Sequence, residues 1–268
     1  MGMNKKLAIL LTVFCSNVFA IEEQWQLGGG IGVLDFRLYP GSRQTKTYVL
    51  PLPYFTYQSE YLEIDRGIRG IFSLDPDSDW YMDISADFGV PVDSKDSAVR
   101  AGMKNLDAII QFGPSAKYTL RGHRSAEREL RLEFPLRTAI SVDIQNPRNE
   151  GWILEPRLVY EKRRAGNTGL YAKARLGLRY ASQDYHSFYY DVTPSDVTPQ
   201  RSAFETDKGY SGLLVDLRAA WRKDDILYWG IIRYQNLNNA VYENSPLVED
   251  NDYYFIGVGI TWILAASH

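Results

Sequence analysis

Residues 129–142, ELRLEFPLRTAISV, alternate almost without interruption: Leu130, Leu132, Phe134, Leu136, Ile140 and Val142 fall on one side, Glu129, Arg131, Glu133 and Arg137 on the other. Helical spacing would mix those sides, stacking Leu130 on Glu133 and Phe134 on Arg137, and Pro135 would break a helix interior. The period of two requires a strand. Strands of soluble sheets run to about 5–6 residues, and this one is more than twice that length. A tilted strand crossing a bilayer needs roughly 9–11 residues, so lipid becomes a candidate environment for the apolar side.

The pattern recurs along the chain. In DWYMDISADFGV, Trp80, Met82, Ile84, Ala86 and Phe88 oppose Tyr81, Asp83, Ser85 and Asp87. In GWILEPRLVYEK, Trp152, Leu154, Pro156, Leu158 and Tyr160 oppose Glu155, Arg157 and Glu161. In GLYAKARLGLRYA, Leu170, Ala172, Ala174, Leu176 and Leu178 oppose Lys173, Arg175 and Arg179. Further strands are expected at 23–36, 46–58, 60–72, 106–120, 209–222, 226–237 and 252–263, separated by turn sequences such as DPDSD, QNPRNEG, KRRAGNTG and RKDD. Acids and bases share one face, where neighbouring strands can pair them. A soluble sandwich would instead carry varied Ser, Thr and Lys on its outer face, so the expected fold is all-β, a closed antiparallel transmembrane β-barrel. Trp80 and Trp152 start strands and Trp221 and Trp262 end them, as interface girdles require, although soluble sheets also carry aromatics there. Pro51, Pro53, Pro135 and Pro156 lack a ladder donor and belong at bulges or pair gaps.

The chain opens MGMNKKLAILLTVFCSNVFA: a basic start at Lys5 and Lys6, an apolar stretch from Leu7 to Phe14, and small-residue positions at Val18 and Ala20. This reads as a secretory signal peptide, residues 1–20, cleaved after Ala20. Residues 21–268 then form a single domain. Cys15 follows Phe14, too bulky for the small residue that an acylation signal requires. Because the only cysteine departs with the signal, disulfide, thiol and Cys-based metal chemistry are not expected. Losing Lys5 and Lys6 moves the formal charge from −3 to −5, which argues against a nucleic-acid partner. After residue 20 no window approaches ~18 consecutive apolar residues, yet 45% of the chain is hydrophobic and 13% aromatic, as a barrel permits.

Four stretches, YVLPLPYFTYQ (48–58), LDAIIQFGPSAKY (106–118), YYDVTPSDVTPQRSAF (189–204) and NSPLVEDNDYYFIGVGITW (244–262), resemble the MipA/OmpV family of outer-membrane proteins, named after the MltA-interacting protein. Their order and spacing match across nearly the whole mature chain. The resemblance implies a barrel of the Gram-negative outer membrane, in contact with outer-membrane lipid. It implies a scaffold that joins a lytic transglycosylase to a bifunctional murein synthase, with no shared catalytic motif. Family members commonly finish on an aromatic residue, whereas here Trp262 is followed by ILAASH.

Fragments that imitate active sites are weak. GGGIG at 28–32 sits inside an alternating strand with no helix start to receive a phosphate. DPDSDW at 75–80 begins like a calcium loop, but Trp80 takes the glycine position and Ala86 that of the bidentate acid. His186 next to Ser187 suggests a lipid hydrolase, yet adjacency does not supply a triad's geometry. His123 lies in a turn and His268 is terminal, so no metal or cofactor is expected. The longest irregular segment, Gln183 to Lys208, is expected to be a self-packed cap or, alternatively, a ligand-contacting loop.

Eleven strand candidates and the need for an even count give an expectation of 12 strands, with residues 60–72 splitting at Arg66-Gly67, or 10 if an N-terminal segment does not cross, with both termini in the periplasm. The lumen is expected to be narrow and crossed by pairs among Arg131, Glu133, Glu155 and Arg157. The function expected is non-enzymatic binding of murein-processing enzymes; a narrow pore for small solutes is the alternative. RKDD (222–225), KRRAGNTG (162–169, with Arg163 and Arg164) and RGHRSAER (121–128) are the rim turns exposed to partners. No residue-level partner site is assigned.

Overall fold

Two-residue alternation dictates strands whose faces meet different surroundings, and the computed structural model has them. It describes residues 24–58, 62–64, 68–70, 78–123, 126–142, 146–163 and 169–267; the expected signal peptide and its cleavage site lie outside these. The strands are β1 (Gln24–Arg37), β2 (Thr45–Gln58), β3 (Leu62–Ile64), β4 (Ile68–Gly70), β5 (Trp80–Gly89), β6 (Ile109–Gly122) and β7 (Arg128–Ser141). They continue as β8 (Arg148–Leu154), β9 (Arg157–Lys162), β10 (Gly169–Ala181), β11 (Gly209–Lys223), β12 (Ile226–Asn236) and β13 (Asp252–Ala266). One helix, α1 (Gln183–Tyr190), stands between β10 and β11.

The strands form one antiparallel sheet in the order β4-β3-β2-β1-β13-β12-β11-β10-β8-β7-β6-β5, with β9 continuing β8 between β7 and β10. β1 pairs with β13 from Gln26↔Ala266 to Phe36↔Phe255. β4 lies against β5, so the ends of the sheet meet and the barrel closes. The connections after β1, β5, β10 and β12 gather at one mouth, and both described chain ends lie at the other, where the Trp25 N–H donates to Ser267 Oγ at 2.8 Å.

The described residues do not establish 12 full crossings. Ten are long, counting β8 and β9 as one. The split expected within 60–72 at Arg66-Gly67 separates two segments of three residues each, β3 and β4, which pair with each other. β13 runs to Ala266 rather than ending near Trp262, and Leu264 points outward at 77% exposure. The chain therefore continues outward-facing apolar residues past Trp262.

Burial is inverted relative to a soluble protein. On β7, Glu129, Arg131 and Glu133 are each 1% exposed while Leu136 is 47% exposed. The charged face is inside, and the apolar face forms the outer wall. Aromatic residues collect outward at both rims: Trp80 packs on Tyr118 at 4.9 Å and Trp221 on Tyr228 at 5.6 Å near the chain ends, and Tyr180 packs on Tyr210 at 5.7 Å near the other mouth. This is the distribution of interface girdles.

The prolines occupy gaps. Pro156 falls in the break between β8 and β9, one residue beyond Glu155, whose N–H donates to the Pro135 carbonyl at 3.1 Å. Pro51 and Pro53 pair with Ile31 and Gly29 of β1, while the second edge of β2 is laddered only at Tyr57 and Gln58 among the described residues. An absent N–H costs nothing where no partner waits.

Candidate functional site

Inward positions of adjacent strands stack carboxylates against cations through the lumen. Arg131 reaches Glu129 at 2.9 Å, Glu133 at 2.8 Å and Glu161 at 2.7 Å. Arg157 joins Glu133 at 2.6 Å to Glu155 at 3.3 Å. Lys117 pairs with Asp83, and Arg137 with Glu155. Burial of single charges would be costly, and mutual pairing with added hydrogen bonds offsets it: Glu129 also accepts from Tyr81 Oη at 3.0 Å and Glu161 from Tyr171 Oη at 3.0 Å. The four residues expected to cross the lumen do pair inside it, but along the wall formed by β7, β8 and β9; the pair that spans it is Arg233 of β12 with Asp87 of β5, at 3.3 Å. Toward the far mouth the carboxylates become scarce: Glu155 also takes Arg179 at 3.2 Å, and Asp216 alone receives Arg175 at 2.8 Å, Arg218 at 3.0 Å and Arg233 at 3.2 Å.

The opposite wall is apolar, which alternation did not reveal. β1, β12 and β13 turn Leu34, Phe36, Trp229, Ile231 and Phe255 inward around a cavity of about 300 Å³. Glycine makes room for the indole of Trp229: a Cβ on Gly259 would stand 2.3 Å from its Cζ2, and one on Gly32 would stand 2.9 Å from it. GGGIG is thus strand backbone on which a ring lies. Asp87, Arg218 and Arg233 border both this cavity and a smaller polar one of about 100 Å³ beneath it.

The mouth above is filled. Ser182 caps α1 by accepting from the Tyr185 N–H at 3.4 Å, a local signal for helix initiation. Tyr190 of α1 stacks on Tyr242 at 3.8 Å and donates to the Pro40 carbonyl at 2.8 Å. Tyr39, whose phenol burial pushes up to about 12, donates to the Leu247 carbonyl at 2.8 Å. Leu38, Val92, Leu106 and Leu237 complete the cluster, so four loops are held by one apolar knot. The segment from Gln183 packs inward as a cap, and the helix within it is a correction to an otherwise irregular expectation.

His186 and Ser187 do not pair. Ser187 Oγ lies 3.1 Å from Thr206 Oγ1, whereas His186 donates from Nδ1 to the Asp207 carbonyl at 2.7 Å and accepts at Nε2 from Ser211 Oγ at 2.5 Å. The backbone acceptor sets that tautomer. A serine does therefore meet the histidine, across 25 residues of sequence, but His186 is 0% and Ser211 1% exposed. The pair joins cap to barrel, away from solvent. Asp75 and Asp77 of the calcium-like loop lie outside the described residues. Among the described residues no group of three or more His, Cys, Asp or Glu is placed to hold a metal.

Burial holds the His186 imidazole below its ordinary value of 6.5, against the raising effect of its bond to the Asp207 carbonyl; Arg179 lowers it further, while Asp191 and Asp207 raise it. A base depressed in the folded state binds fewer protons there than when released, so the cap keeps its full stability above 6.5 and loses it as pH falls below. The protection of amides across 183–190 in the purified barrel, relative to their intrinsic exchange rate at each pH, is expected to fall between about pH 7.5 and 5, and His186→Gln to flatten that response. An equal loss of protection in His186→Gln would assign it to another group.

The rim turns are less available than their sequences suggest. Arg163 points into the lumen, bonding Glu129 Oε2 at 2.8 Å and the Ala126 carbonyl at 3.0 Å; Arg164 lies outside the described residues. Arg222 folds back onto the Asp224 carbonyl at 2.8 Å and Gln26 Oε1 at 3.3 Å. Arg121 and Arg128 remain exposed beside their turn. Sequence alone does not separate these cases, because inward direction depends on strand phase at the last ladder residue.

The family described as MltA-interacting protein MipA matches residues 27–264. No curated protein matches the chain. Among solved structures it is similar to the outer membrane protein OprG from Pseudomonas aeruginosa, at 13% identity and a TM-score of 0.28 over 92% of this chain and 97% of that one. It is similar to Neisserial surface protein A (NspA) at 10% identity and a TM-score of 0.24, over 90% and 97% of the two chains. The P. putida toluene transporter TodX is similar at 10% identity and a TM-score of 0.25, over 92% of this chain and 68% of that one. Likenesses this distant add nothing to the architecture seen directly.

Proposed function

The chain belongs to the MltA-interacting protein MipA family, and from that membership we propose that it is a non-enzymatic outer-membrane scaffold. It binds murein-processing enzymes, a lytic transglycosylase and a bifunctional murein synthase, at its periplasmic rim. The reading includes export by a signal peptide cleaved after Ala20. It also includes 12 crossings, with β3 and β4 as the short third and fourth, which returns both termini to the periplasm.

One observation carries the scaffold over the pore: the lumen is lined by ion pairs between neighbouring strands, spanned from β12 to β5 by Arg233 and Asp87 at 3.3 Å, and plugged at the far mouth by the Tyr39, Tyr190 and Tyr242 cluster. Small barrels fill their interiors, and a filled barrel offers partners its rim. The turn between β6 and β7 is the preferred rim surface, since Arg121 and Arg128 are exposed there while Arg163 is committed to Glu129.

Affinity capture from crosslinked envelopes, with the native chain and with Arg121→Glu plus Arg128→Glu, tests this. Recovery of either enzyme class with the native chain and its loss with the variant is expected. Failure to recover either class sinks the scaffold, and recovery indifferent to charge reversal sinks only the proposed surface. Large, steady single-channel currents from the purified chain would favour the pore.

A further inference from the structure

We propose that the barrel interior binds one small oxyanion, of the phosphate or sulfate class, in the cationic chamber bounded by β5, β6, β7, β9, β10, β11 and β12. The chamber measures about 100 Å³, comparable to three waters at roughly 30 Å³ each or to one tetrahedral ion. Seven lysine and arginine side chains line it against three carboxylates, Asp83, Asp87 and Glu133. Those acids are already engaged, Asp83 with Lys117, Asp87 with Arg233 and Glu133 with Arg131 and Arg157. The two other carboxylates within reach, Glu155 and Asp216, each serve three arginines. Leaving aside Arg163 at the rim, the ion-pair network of the lumen joins nine cations to seven carboxylates among the described residues. Excess charge of one sign inside a wall of lipid is costly until a counter-ion compensates it.

Unused donors on the same lining point to an anion independently of that count. Ser115 Oγ and Arg137 Nε have no hydrogen-bond partner among the described residues, in side chains 1% and 2% exposed. Lys173 Nζ has a single ion pair there, Glu161 at 3.7 Å. A hydroxyl, an ammonium and planar guanidinium donors converging on one small space suit an acceptor with several oxygens, which a halide does not offer. The inference rests on the lumen alone and stands or falls apart from the scaffold reading.

The test is titration calorimetry and thermal unfolding of the purified mature barrel in detergent, with inorganic phosphate or sulfate against chloride at equal ionic strength. Saturable binding at one ion per barrel is expected, with a rise in unfolding temperature that chloride does not give. Lys173→Met should weaken binding by about tenfold or more, since it removes a charged donor, and Ser115→Ala should weaken it severalfold; Lys95→Met, on an exposed loop, should leave it unchanged. Ser115→Ala decides the matter if Lys173→Met does not fold. Absence of saturable binding by both ions overturns the proposal, as does binding undiminished in Ser115→Ala and in any Lys173→Met that folds.

Discussion

Arg131→Met is expected to destabilise the barrel by about 3–5 kcal/mol, the usual cost of removing one partner from a buried ion pair. Arg131 is 1% exposed and holds Glu129, Glu133 and Glu161 at 2.9, 2.8 and 2.7 Å. Its loss strands three carboxylates unequally. Glu133 keeps Arg157 at 2.6 Å and Glu129 keeps Arg163 at 2.8 Å, whereas Glu161 keeps Tyr171 Oη at 3.0 Å and, among the described residues, cations only at 3.6 Å (Arg163) and 3.7 Å (Lys173). Adding Glu161→Gln to Arg131→Met should therefore recover part of the loss, because it neutralises the acid that, among the described residues, has the most distant remaining cations while leaving an amide oxygen for Tyr171. Urea unfolding from lipid vesicles, followed by tryptophan emission, measures both. A change below about 1 kcal/mol in Arg131→Met would show that the network fills space without holding the wall.

The charged half of the lumen was legible because its chemistry is repeated locally. Glu129, Arg131 and Glu133 declare one face of β7, and Glu155, Arg157 and Glu161 declare the facing strand, so alternation fixes which side is buried and charge complementarity fixes which strands touch. The apolar wall was not legible in the same way. Where Gly28, Gly30, Gly32 and Leu34 alternate with Leu27, Ile31 and Val33, both faces are apolar or bare, and period two loses its contrast. α1 escaped notice because its buried residues, Tyr185, His186 and Tyr190, lie in a polar Tyr-rich stretch; Ser182 at its start was the available signal. The meeting of His186 with Ser211 depends on how the cap folds over β11, a tertiary fact with no local trace. Arg163 misled for a related reason: a basic turn sequence does not say whether its first arginine still belongs to the ladder.

Leu176→Arg should cost the barrel roughly 2–4 kcal/mol, and Leu170→Arg on the same strand and the same face only about 0–1, because the penalty for a lipid-facing arginine falls with distance from the bilayer midplane. Leu176 lies near the middle of β10, 50% exposed, between Leu158 of β9 and Val215 of β11. Leu170 is 48% exposed and stands beside Trp221 of the girdle. Exposure and residue type are thus matched, and only position along the strand differs. In water both substitutions on an exposed leucine would change stability by about 0.5 kcal/mol or less. The lipid environment alone separates them, since an arginine near the rim can extend its guanidinium past the aromatic belt while one at position 176 has no such reach. Equal, small effects in vesicle-based unfolding would mean that the outer face does not contact bilayer. A full penalty at both positions would instead place Leu170 within the hydrocarbon and move the proposed membrane boundary beyond Trp221.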